Sequence, residues 1–144
     1  MNSKISIIAA IAIGIVQYLF VSYYWGYIAI YIPLIPWVIG LETSETVQSL
    51  IFHSFDFVVN VLLSLPAAYA IYKLQPRKLL LYITLAVVPS FIWINSLLIS
   101  EPSRITDFGP WYIFLPGWIH GLVSIPIAVL IVHLLTIRLN RTAV

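Results

Sequence analysis

Val47-Gln48-Ser49-Leu50-Ile51-Phe52-His53-Ser54-Phe55-Asp56-Phe57-Val58-Val59-Asn60-Val61-Leu62-Leu63-Ser64-Leu65-Pro66-Ala67-Ala68-Tyr69-Ala70-Ile71-Tyr72 is an apolar run that contains one charged side chain, Asp56. A helix of about 20 mostly apolar residues crosses roughly 30 Å of hydrocarbon, and this run exceeds that length. Within it Ser49, His53, Asp56, Asn60, Ser64 and Ala67 recur at steps of 4, 3, 4, 4 and 3. At 3.6 residues per turn these positions fall on one narrow face, and the other faces are Leu, Ile, Val and Phe. A polar face cannot be turned to lipid, because each unsatisfied group there costs several kcal/mol. The stripe therefore predicts a spanning helix whose polar side meets other helices or a water-filled cavity.

Three more runs of similar character flank this one. The sequence predicts spans at about 5–28, 47–72, 79–99 and 111–137. The seven basic and five acidic residues, Asp56 apart, lie in or beside the connections and alternate in sign. Lys4, then Lys73, Arg77 and Lys78, then Arg138 and Arg141 mark one side. Glu42 and Glu45, then Glu101 and Asp107, with Arg104 among them, mark the other. Basic residues collect on the cytoplasmic side of membrane proteins. The expected fold is therefore an all-α integral membrane protein, one domain of four transmembrane helices in an antiparallel bundle, with the N- and C-termini cytoplasmic. The inner or plasma membrane is the expected location, with the lipid bilayer as its first partner.

Composition agrees with this class: 62% of the residues are hydrophobic and 8% charged, against roughly 25% charged in ordinary soluble domains. A net charge of +2 with scattered basic residues does not make a nucleic-acid surface, which needs a clustered basic patch. The chain has no cysteine, which excludes disulfides, thiolate metal sites and a cysteine nucleophile. The first apolar run outlasts a signal-peptide core of about 7 to 15 residues, and no A-x-A-like site follows, so it is read as a retained span.

Between the first two spans, Tyr31-Ile32-Pro33-Leu34-Ile35-Pro36-Trp37 is apolar but twice interrupted by proline. It is expected to lie in the membrane interface rather than to continue a straight helix. Trp25, Trp37, Trp111 and Trp118 fall near one predicted boundary and read as an aromatic belt. Pro66, Pro89 and Pro126 sit inside the last three spans and predict packing kinks.

In the fourth span, Gly117 and Gly121 form a G-x-x-x-G pair. With Ser124 and Ala128 they give a stripe of small residues suited to close helix approach, and His120 shares that stripe. A rise of 1.5 Å per residue puts His53, Asp56, Asn95 and His120 roughly 6 to 12 Å below one boundary, with Gln17 and Asn60 near the midplane. Gln17, His53, Asp56, Asn60, Asn95 and His120 are thus expected to form one intramembrane polar cluster. His133, near the end of the last span, is expected at the headgroup level.

Ionisable groups within spans are costly and point to function. His53, Asp56 and His120 are a candidate copper or zinc ligand set, or the two histidines are axial ligands for haem. The alternative is a hydrogen-bonded network that only fixes helix register. No metalloprotease, serine-hydrolase or phosphate-loop motif is present, and no second intramembrane aspartate makes a dyad. Three functions follow. The leading expectation is an accessory or assembly subunit of a larger membrane complex, with other membrane subunits or copies of itself as partners. The others are a small proton or cation transporter or channel built on Asp56 with His53 and His120, and a metal- or haem-binding oxidoreductase component.

Overall fold

A computed structural model describes residues 3–28, 31–74, 76–103 and 111–142. The protein is all-helical, 91% helix, with no strand among the described residues. Helix α1, Ser3–Tyr23, runs into a π-helical turn at Tyr24–Ile28; α2 is Leu34–Ile39, α3 Glu45–Leu63, α4 Leu65–Leu74, α5 Leu79–Ile94, α6 Ser96–Ser100 and α7 Trp111–Thr142. Three stretches of helix are long and apolar enough to cross a membrane, Lys4–Tyr27, Glu45–Leu63 and Leu115–Leu139, and Leu79–Ile94 is a shorter apolar helix. These mark an integral membrane protein.

The distribution of polarity supports that class. Ile8, Val16, Leu50, Leu80, Leu130 and Leu139 are each more than half exposed on the outer faces. Gln17, Asn60, Ser64, Ser90, Asn95, His120 and Ser124 are buried. Lipid solvates the first group, and the interior satisfies the second.

The two middle runs are each interrupted where an unbroken span was expected. The 47–72 run divides at Ser64 into α3 and α4. Pro66 has no N–H to give Leu62, and its ring disfavours helical backbone at Leu65. Ser64 adjusts at the break: its N–H reaches the Asn60 carbonyl at 3.0 Å, and its own carbonyl accepts from Ala68 at 2.9 Å. The 79–99 run divides at Asn95 into α5 and α6. There the Asn95 side chain donates to the Phe91 carbonyl at 2.9 Å, the same oxygen that its backbone N–H reaches at 3.0 Å. This local bond competes with continued helix. Pro89 within α5, and Pro116 and Pro126 within α7, are carried without interruption.

The proline-rich connection is more ordered than its sequence predicts. Pro36 is the third residue of α2, a first-turn position whose N–H has no helical partner in any case. Gly40 closes that helix with its N–H on the Pro36 carbonyl at 3.0 Å. The Gln48 side chain ties the following loop to α3 through the Leu41 carbonyl, 2.9 Å away.

Helix α1 packs on α5 and α4, and α7 packs on α3, α4 and α5. The apolar core joins Ala10 of α1, Ala68 and Ile71 of α4, Tyr82 and Ala86 of α5, and Ile125, Ala128, Val129 and Val132 of α7. The helices approach closely at Gly14, where an added Cβ would collide with the Ala86 carbonyl of α5. Beside this core, residues 14–25 of the first run and 52–64 of α3 are bridged by side-chain hydrogen bonds. A cavity of about 480 Å³ opens between them, α5 and α7.

Candidate functional site

The polar face of α3 is set from its first turn. Ser44 caps the helix, its hydroxyl oxygen accepting from the Val47 N–H at 3.4 Å, and Glu45 complements the positive end of the dipole. From that start the 3.6-residue repeat turns Asp56, Asn60 and Ser64 toward the cavity, where all three are lining residues.

The site is a chain of directed hydrogen bonds. The Trp25 indole N–H, from the π-helical turn after α1, donates to Asn60 Oδ1 at 2.8 Å. An indole nitrogen can only donate, so this contact fixes which end of the Asn60 amide is oxygen. The amide nitrogen then donates to Asp56 Oδ1 at 2.8 Å. The other carboxylate oxygen, Oδ2, lies 2.7 Å from His120 Nδ1 of α7. A proton shared along that line satisfies both atoms. The side chains of His120 and Asp56 are only 10% and 13% exposed, so little solvent competes for the pair.

Around the pair, Phe57 stacks against His120 with ring centroids 5.2 Å apart. The His53 ring meets His120 edge-on at 6.0 Å. His53, Asp56 and His120 each offer one ligand atom, and these three atoms lie within 4.8 Å of one another. Two imidazoles and a carboxylate suit a first-row transition ion.

The other sequence candidates fall into distinct places. Gln17 bridges the break in the second run: its amide nitrogen donates to the Leu63 carbonyl at 3.1 Å and to Ser64 Oγ at 3.2 Å. Ser64 in turn donates to the Asn60 carbonyl at 2.7 Å, so Gln17 reaches the Asp56 group through α3. Asn95 stands outside that group and pairs with the Tyr18 hydroxyl on α1. Ser124 donates to the His120 carbonyl at 2.7 Å. The Tyr18 hydroxyl lies near Gly121, 3.4 Å from where a Cβ would stand, while Gly117 has nothing within 4 Å of that position. Gly117 therefore faces open cavity rather than a neighbouring backbone. His133 is half-buried against Tyr72, with ring centroids 5.7 Å apart. The loop 104–110, with Arg104 and Asp107, and the side chain of Trp111 lie outside the described residues.

Two participants were not legible as site residues. Trp25 reads from sequence as a belt aromatic, yet it orients Asn60. The signal lay in its register, since Gly14, Gln17, Tyr18, Val21 and Trp25 repeat on one face of the first helix and all line the cavity. Gly14 makes a close helix contact with α5, in a run where no small-residue pair marked it. No family model, curated protein or solved structure matches this chain.

Proposed function

We propose that this chain is a small membrane transporter or channel that takes up a proton or cation at the Asp56–His120 pair. Its four apolar runs cross the inner or plasma membrane as an antiparallel bundle, with both termini cytoplasmic. The observation that carries the reading is the pair itself. A carboxylate and an imidazole 2.7 Å apart line a cavity of about 480 Å³ among helices whose outer faces are apolar. Burying an ionisable pair is costly, and a network that only fixed helix register needs neither a charge nor an open volume beside it. The cavity gives an ion access to the pair, and the Trp25–Asn60 relay holds the carboxylate in one orientation.

The test is flux into proteoliposomes. Wild-type protein is expected to pass protons or cations down an imposed gradient, and Asp56→Asn, which keeps the shape and removes the charge, to lower the rate at least tenfold. Equal flux from both, or none from either, rejects the reading.

One observation favours a second reading, the accessory or assembly subunit. An apolar groove of about 510 Å³ runs along α1 and α4, lined by Ala12, Ile13, Val16, Phe20, Pro66 and Ala67 among others, and small residues there suit an incoming helix. Co-purification with other subunits at fixed stoichiometry, without flux, supports that alternative; the native mass in mild detergent separates it from a homo-oligomer.

A further inference from the structure

We infer that the cation is a divalent first-row transition metal, held by His53, Asp56 and His120 on two facing helices. This rests on the uptake reading above and names its substrate class. Zinc bound by imidazole nitrogen and carboxylate oxygen sits about 2.0 to 2.2 Å from each ligand, so tetrahedral ligand atoms lie roughly 3.4 Å apart. The three ligand atoms here are within 4.8 Å of one another, and the Asp56–His120 contact is 2.7 Å. Entry of an ion therefore spreads the close pair by under about 1 Å and draws the widest pair in by roughly 1.4 Å. Side-chain rotation supplies movements of that size without shifting a helix.

The donor set argues for a transition ion over magnesium or calcium, which take oxygen ligands almost throughout. The surroundings are also built for it. Asn60 engages Asp56 Oδ1 and leaves Oδ2 to His120, and supporting bonds of this kind typically raise metal affinity about 10- to 100-fold. Asp56 and His120 line the cavity, so a fourth coordination position opens to it. A three-ligand site with one open position admits and releases its ion more readily than a closed four-ligand site.

The experiment is cobalt titration of purified full-length protein in detergent, carrying no polyhistidine tag. Wild type is expected to develop the visible absorption of low-symmetry cobalt(II) at one equivalent per chain, and one equivalent of zinc to abolish it. His53→Gln, which leaves the Asp56–His120 pair in place, is expected to weaken cobalt binding at least tenfold. Absence of the band in wild type overturns the metal assignment and needs no variant to interpret. A band of undiminished affinity in both His53→Gln and His120→Gln overturns it as well, by placing the ion elsewhere. Proton flux that depends on Asp56 without cobalt binding leaves uptake standing and removes the metal; loss of Asp56-dependent flux with cobalt bound does the reverse.

Discussion

Asn60 shows how much one residue can decide. Its side chain touches both the π-helical turn and the carboxylate, and its orientation is dictated by a neighbour that cannot accept a hydrogen bond. Removing that neighbour's N–H leaves Asn60 Oδ1 buried without its partner, a loss of about 1–3 kcal/mol. Trp25→Phe is therefore expected to lower the melting temperature in detergent by several degrees. Trp37→Phe, at a side chain that is 57% exposed, is expected to leave it unchanged. Equal effects from the two substitutions refute the relay. The contrast also marks what can be read at this scale. Sequence alone gives Trp25 and Trp37 the same belt role, because an indole at a predicted boundary carries no label for its partner. Asp56 and His120 were legible because a charge and an imidazole inside apolar runs have few places to go. Asn95 is buried as its type predicts, but depth along a helix does not say that its partner is the Tyr18 hydroxyl.

At the scale of elements, the decisive contact is between α1 and α5. A methyl group at Gly14 strikes the Ala86 carbonyl, which belongs to helix backbone and cannot rotate away. Gly14→Ala is expected to destabilise the protein by about 1–3 kcal/mol through overpacking. Gly117→Ala fills open space and should be neutral or gain up to about 1 kcal/mol from helix propensity. Denaturant titration in mixed micelles checks the order of the two. That the protein is all-helical, with apolar helices of membrane-spanning length, followed from the apolar runs alone. The breaks at Ser64 and Asn95, and the short α2, did not follow, because each depends on where one freed or competing hydrogen bond finds its partner. For α2 the decisive fact is positional: a proline in the first turn gives up a bond that was never available.

At the scale of the whole molecule, the alternating signs of the connections predict which surfaces share a compartment. The chain is free of cysteine, so single cysteines can be introduced directly. Thr43→Cys, in the loop before α3, and Lys78→Cys, before α5, are both at exposed positions. A membrane-impermeant maleimide added to intact cells is expected to label the first and spare the second until the membrane is opened. Labelling of both from outside contradicts the proposed four crossings.

The interruption at Ser64 sets the angle at which α3 presents its polar face. Asp56 lies eight residues from it, about 12 Å along the helix, so a difference in tilt of roughly 10° at the break would displace the carboxylate by about 2 Å. Val61 above the break and Ala68 and Ile71 below it all belong to the apolar core, so packing holds both halves at that angle. A displacement of that size is comparable to the length of the bond joining the two ionisable groups, and the register of the carboxylate therefore depends on how the two halves are packed.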